Sequence, residues 1–301
     1  MASAPQGPVG LVGLGLIGGS IGLDLRARGV EVRALVHREA TAMRATERGL
    51  ADRVSTDPAL LAGCRLVVLA LPLDRLLLPD PALLAALPPE AVITDVGSVK
   101  APVLERWQLL HRRFVASHPM AGTARAGVEA GMADLFVDRP WVATPAADTD
   151  PDALEQVRRL ALSLGARWLC CEAEAHDRAV ALISHLPVLV SGALVLAADR
   201  GAEAARSLGA PELPQLVRAL ASSGFADTTR VGGGNPELGT LMARCNDQAL
   251  LEALGHYRRA LDGLEQAVRH GDWSALQSEL QTTERLRGEF LGGRIVDQAP
   301  S

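Results

Sequence analysis

Residues 9–25, VGLVGLGLIGGSIGLDL, run from a short apolar stretch through Gly13, Gly15 and Gly18 into a helical pattern. Strand, glycine loop and helix in that order open a βαβ unit, and each glycine has a physical reason. Gly13 permits the tight turn, Gly15 lets the backbone approach a pyrophosphate, and Gly18 lets helix and strand pack closely. Phosphates would sit on the helix N-terminus, where free N–H groups and the dipole favour anions. The backbone from Gly13 through Leu14, Gly15, Leu16 and Ile17 to Gly18 is therefore the predicted dinucleotide cradle. Leu71 and Pro72, closing the apolar run LALPL, join it from a neighbouring strand end.

Outward from this stretch the pattern alternates. Short apolar runs (VEVRALV, RLVVLAL, AVITDV, RFVAS, PWVATP, ARWLCCEA) are separated by helical ones such as TAMRATERG, APVLERWQLLH and DPDALEQVRRLALSLG. This predicts an α/β fold with a Rossmann-type doubly wound sheet over residues 1–173. After Glu174 the strands stop, and residues 174–301 are predicted to form an all-helical domain for substrate binding and dimerisation. AEAHDRAVALISHLPVLVSGALVLAADRG reads as one helix ending near Gly201, and LPQLVRALASSG as a shorter one. Asn235-Pro236-Glu237 supplies an N-cap, a first-turn proline and an early carboxylate for a helix running towards Ala267. Asp272 caps the last helix. Between these, SSGFADTTRVGGGNPELG reads as a functional loop, too polar and glycine-rich for an element.

The 301 residues are enough for two cores. Hydrophobic residues make up 48% and charged ones 22%, so the chain is globular. The net charge of -5 is spread along the chain without a basic stripe, which argues against a nucleic-acid partner. The N-terminus lacks a basic region before an apolar stretch, so a cytoplasmic location is expected. Residues 181–198, ALISHLPVLVSGALVLAA, approach membrane-spanning length, but His185, Pro187 and Ser191 interrupt them; a core helix is expected, with no membrane. The helical domain's apolar surplus predicts packing against another subunit. The cysteines at 64, 170, 171 and 245 read as small buried hydrophobes, and no metal site is expected.

At the end of the second strand, where an NAD enzyme usually offers an acid to the ribose, the chain has His37 and Arg38. A guanidinium there suits a 2′-phosphate, so NADP is favoured over NAD, with Glu39 one position away as an offset acid. Ligands in an open α/β sheet bind beyond the strands' carboxyl ends. ITDVGSVK delivers Ser98 to that rim and FVASHPMAG delivers His118. Removal of a hydroxyl proton suits an imidazole that is largely neutral at pH 7. On the residues alone, His118 before Pro119 is a base or a turn residue, His185 before Pro187 a ligand contact or a satisfied core histidine, and Arg230 a carboxylate clamp or a surface arginine. An unbroken helix would put His176 on the face opposite His185.

Together, VGLGLIGGS, TDVGSVK, SHPMAGT, ISHLPV and SSGFADTTRVGGGNPELGT resemble the prephenate and arogenate dehydrogenase family of tyrosine biosynthesis, in family order over residues 8 to 290. The likeness looks closest to the cyanobacterial NADP-dependent arogenate dehydrogenases. It implies that His118 is the base, that Ser98 assists at the ring hydroxyl, that His185 and Thr123 contact substrate, and that Arg230 binds a substrate carboxylate. It implies a homodimer through the helical domain, and oxidative decarboxylation of arogenate to tyrosine, with prephenate as the alternative substrate. Two departures stand out. Ala226 replaces a basic residue of some relatives, and Ala124 stands where many prephenate-specific members carry Glu, which favours arogenate; Asp227 is a candidate partner for its amino group. A β-hydroxyacid or imine dehydrogenase would use a lysine in the helical domain, whereas Lys100 is the only lysine in the chain. A dinucleotide sensor without catalysis is disfavoured by the retained Ser98, His118, His185 and Arg230.

Overall fold

The computed structural model describes residues 4–123 and 125–292. Six parallel strands, β1 (Val9–Val12), β2 (Val32–Leu35), β3 (Arg53–Ser55), β4 (Leu66–Leu69), β5 (Val92–Asp95) and β6 (Phe114–Val115), form one sheet in the order β3-β2-β1-β4-β5-β6. The order reverses beside β1, and such a reversal opens a crevice at the carboxyl ends of the strands. Alternate residues of each strand feed different cores. Leu66 and Val68 of β4 join Ile21 and Leu25 on one face, and Val67 and Leu69 join Trp107 and Phe114 on the other. Both faces are therefore covered, as an all-parallel sheet requires.

A second, smaller sheet carries the histidine predicted as base. Its strands are β7 (Ser117–Pro119), β8 (Pro140–Ala143) and β9 (Arg167–Cys170); β7 runs antiparallel to β8, and β8 parallel to β9. The chain passes from β6 to β7 through Ala116 alone, so His118 sits at the seam of the two sheets. Cys170 ends the edge strand β9 and Cys171 follows it, and both are exposed rather than buried; Cys64 is buried and Cys245 half-buried. This corrects the expectation of four buried cysteines.

Beyond β9 the described chain is helical. The first long helix runs from Ala173 to Ser207, past Gly201, whose φ is not positive; the chain turns at Gly209, with φ +107. It is long and apolar enough to cross a membrane by length and composition, yet only 22% of its most apolar window is buried. The expected core helix is thus an apolar face left open in the single chain, with Leu194, Val195 and Leu196 all exposed. The stretch predicted as a loop is instead a helix, Ser223–Thr229, and a 3-10 turn, Arg230–Gly233. Packing outweighs composition there: Ser191 Oγ donates to the Thr228 carbonyl at 2.6 Å, and a Cβ at Gly232 would collide with Ser191 and Gly192. Asn235 caps the next helix as predicted, accepting from the N–H groups of Glu237 and Leu238. That helix does not reach Ala267. It stops at Cys245, and a new one, Asp247–Arg269, begins after Asn246, whose φ and ψ (-134 and 37) are not helical.

By compactness the chain separates into two units, one through Leu250 and one from Leu251. In the second, the Asp272 carboxylate accepts from Ala275 N–H at 2.9 Å and caps the helix Trp273–Gly292, as predicted.

Candidate active site

The glycine stretch forms a cradle whose residues fit a dinucleotide. Gly13 adopts φ +94, and a side chain there would strike the Ala70 carbonyl. At Gly18 a Cβ would strike the Gly13 carbonyl, so strand and helix could not approach. At Gly15 a Cβ would meet nothing within 4 Å. Gly15 is the N-cap residue of the helix Leu16–Ala27, which has no side-chain cap and no acidic residue in its first turn. Its N-terminal N–H groups are thus available to an anion, with space in front of them. Leu14, Leu16 and Ile17 lie between these glycines, and Leu71 and Pro72 follow β4, with Pro72 the N-cap residue of the helix Leu73–Leu77. At the end of β2, His37 and Arg38 are exposed. The offset acid Glu39 accepts the hydroxyl hydrogen of Thr56.

The carboxyl end of β5 is held to β7 by buried polar groups. Lys100 is wholly buried; its Nζ is paired with the Asp95 carboxylate and donates to the Ser117 carbonyl at 2.7 Å. Asp95 also accepts from Ser117 N–H at 3.1 Å and Gly97 N–H at 2.8 Å. The half-buried Ser98 therefore sits in a loop pinned at both ends, beside the strand that carries His118. Burial lowers the Lys100 pKa, and Asp95 opposes that shift.

His118 Nδ1 lies 2.9 Å from His176 Nε2, and His176 Nδ1 lies 2.8 Å from Asp177 Oδ1. The Asp177 carboxylate also accepts from Lys100 N–H at 2.7 Å and Ala101 N–H at 2.8 Å. As an acceptor on all sides, it takes the Nδ1 proton of His176. A neutral His176 then accepts at Nε2, so His118 donates from Nδ1 and its Nε2 carries the lone pair. Burial, followed by electrostatic opposition to a further proton from the positions of His176, Lys100 and His185, holds the His118 pKa well below the ordinary imidazole value. A neutral imidazole with a fixed lone pair is a proton acceptor ready for use.

His185 is fully buried, and the same cause lowers its pKa to about 4 against the opposing effect of Asp177. It ends a π-turn, Ala181–His185, in which Leu186 N–H donates to the Ala181 carbonyl five residues back. Pro187 has no N–H to offer and crowds the preceding turn, which accounts for the wider turn at this place. The extra residue swings His185 back by roughly 100° relative to an unbroken helix. The expectation that His176 and His185 occupy opposite faces is thereby corrected: both reach Asp177, one through the carboxylate and the other through Asn246.

Two other predicted residues lie away from these contacts. Arg230 is exposed at the start of its 3-10 turn, which packs on the helix following His185. Thr123 is exposed in the loop after β7, its Oγ1 accepting from Arg125 N–H at 3.2 Å. Ala124 lies outside the described residues. Sequence reasoning missed His176, Asp177, Asn246 and Asp95. The signal for the first two is a His-Asp pair one turn into a helix, and nothing local to that pair says that it reaches β7.

Known proteins resemble this chain over most of its length. The model for "Prephenate dehydrogenase, nucleotide-binding domain" matches residues 21–170, and that for "Prephenate dehydrogenase, dimerization domain" matches residues 172–282. Cyclohexadienyl dehydrogenase of Zymomonas mobilis is 31% identical over 284 residues, covering 93% of this chain and 94% of that protein. Synechocystis arogenate dehydrogenase superposes with a TM-score of 0.80 at 41% identity, covering 94% of this chain and 99% of that one. Prephenate dehydrogenase from A. aeolicus, solved with hydroxyphenyl propionate and NAD+, gives a TM-score of 0.85 at 26% identity, covering 96% and 99%. Two family models that together run from residue 21 to 282, and relatives matched over almost their whole length, place the chain in one group: it belongs to the prephenate/arogenate dehydrogenase family of oxidoreductases.

Proposed function

We propose that this enzyme oxidatively decarboxylates arogenate to tyrosine with NADP. The observation that carries the reading is the chain Asp177, His176, His118, which leaves a neutral His118 with its lone pair on Nε2 at the seam beside the dinucleotide sheet. A dinucleotide held on the Gly13–Gly18 backbone supplies the hydride acceptor. His118 takes the proton of the ring hydroxyl as the carbon bearing it becomes a carbonyl. The ring carboxylate then leaves as CO2, its bonding electrons complete the aromatic ring, and His118 returns the proton to the phenolate oxygen. Ser98 orients the hydroxyl, Arg230 and Thr123 bind the polar ends of the substrate, and His185 makes a further contact. Arogenate is supported by the 41% identity to an arogenate dehydrogenase. Prephenate, giving 4-hydroxyphenylpyruvate, is the second reading, favoured by the name of the A. aeolicus neighbour.

NADP is supported by the exposed Arg38 and by Glu39 being engaged with Thr56. We also read the chain as a cytoplasmic homodimer, with a dinucleotide-binding domain through residue 173 and a helical domain from 174. The domain models that end at 170 and begin at 172 support that division, and the open apolar helix face supports the dimer. The test is purified protein with each substrate and each cofactor, following reduced nicotinamide. Fastest turnover is expected with arogenate and NADP; no turnover of either substrate would refute the reading.

A further inference from the structure

We infer that Asn246 is a positioning residue that fixes His185 as an N–H donor, so that His185 recognises an acceptor oxygen of the substrate. One amide group fixes the tautomer. Asn246 Nδ2 lies 2.8 Å from the Asp177 carbonyl oxygen and 3.1 Å from His185 Nδ1. A backbone carbonyl only accepts, so the atom facing it is the amide nitrogen, whose second hydrogen is then free for His185. His185 Nδ1 therefore accepts, and in a neutral ring the proton resides on Nε2. That Nε2 is buried and has no hydrogen-bond partner among the described residues.

A buried donor with no partner is unfavourable, and native proteins keep few of them. A ligand oxygen would satisfy it. The break between the helices ending at Cys245 and beginning at Asp247 is what frees Asn246 to turn inward, buried at 7% exposure. Asp177 thus sets two histidines in opposite senses. Its carboxylate, through His176, gives His118 a lone pair on Nε2; its carbonyl, through Asn246, gives His185 a hydrogen there. The groups facing His185 are Asp177 and His176 from the preceding helix, His118 from β7 and Asn246 from the helix break.

The substrate half of this inference rests on the proposed dehydrogenase activity; the tautomer half does not. The test therefore has two readouts. In full-length protein labelled with 15N-histidine, with the His185 signals assigned by loss in His185→Gln, the wild type should show a protonated Nε2 and an unprotonated Nδ1. A protonated Nδ1 would overturn the proposal. Asn246→Asp presents an acceptor to Nδ1, so the tautomer should invert; KM for the ring substrate should rise about tenfold or more, with NADP affinity unchanged, because a donor to a charged or polar oxygen is lost. Unchanged KM with an inverted tautomer would overturn the recognition role. Should Asn246→Asp not fold, Asn246→Ser and the wild-type spectrum decide. A wild type with protonated Nε2 that turns over neither ring substrate would refute the activity and leave the positioning role standing.

Discussion

His118 and His176 meet through ring nitrogens 2.9 Å apart with their planes 75° to one another, an edge-on arrangement in which one imidazole hands its hydrogen to the other. If His118 is the base, His118→Asn should lower kcat by about 10²–10⁴-fold and leave cofactor binding intact. His176→Leu should cost less, roughly 10- to 100-fold, the worth of one hydrogen bond to a group that becomes charged in the reaction. Steady-state kinetics with cofactor titration checks both; near-normal kcat in His118→Asn would remove it as the base.

The lowered pKa of His118 has a signed consequence for the pH profile. The groups that face it are His176, Lys100 and His185, with Asp177 behind His176 and Asp95 paired to Lys100. A base is active when unprotonated, so the acidic limb of kcat/KM should lie below pH 6.5. Stability follows the same sign. His111, His118 and His185 all have lowered folded pKa values, so the unfolded chain takes up protons first as pH falls. Their contribution is complete above the unfolded value near 6.5 and is lost as pH falls towards the folded values, about 4 for His185. Urea unfolding at a series of pH values from 7 to about 4 checks this through the histidine-dependent slope.

Two glycines of the first helix region separate cofactor binding from folding. A Cβ on Gly15 enters open space, so Gly15→Val should fold normally and lose dinucleotide binding. A Cβ on Gly22 would strike the Leu50 carbonyl, so Gly22→Ala should cost about 1–3 kcal/mol of stability with little direct effect on the cradle. Thermal unfolding and dinucleotide titration of the two variants should give opposite patterns.

How much of the fold and site is legible in the sequence depends on the range of the forces involved. Gly13, Gly15 and Gly18, the sheet strands and the Asn235 and Asp272 caps follow from local sterics and nearby hydrogen bonds, and their signals lie within a few residues. The His118–His176 contact joins residues 58 apart, and the Asn246 link to His185 spans 61. Neither has a local signature. The π-turn before Pro187 changes the helical phase by one residue, which is enough to misplace a histidine on a helical wheel. The stretch that forms the helix Ser223–Thr229 has a composition poor for a helix, and its packing on Ser191 and Gly192 is invisible in the stretch itself.

For the cofactor, Arg38→Ala should weaken NADP by roughly 10- to 100-fold and NAD far less, since a guanidinium to phosphate contact is charge-assisted. Equal losses for the two cofactors would remove Arg38 from the 2′-phosphate role.

The open face of the helix Ala173–Ser207 makes a prediction about assembly. Val195 and Leu196 are 40% and 47% exposed in the single chain. The wild type should sediment as a dimer, and the double variant Val195→Asp, Leu196→Asp as a monomer, because two carboxylates would be buried unpaired at the contact.

Product stoichiometry shows whether His118 drives an aromatising oxidation. Arogenate and NADP incubated with the purified enzyme should give tyrosine, CO2 and NADPH in equal amounts, with His118→Asn binding NADP and forming none of the three. Turnover by the wild type of neither arogenate nor prephenate, or full turnover by His118→Asn, would rule out this role for His118.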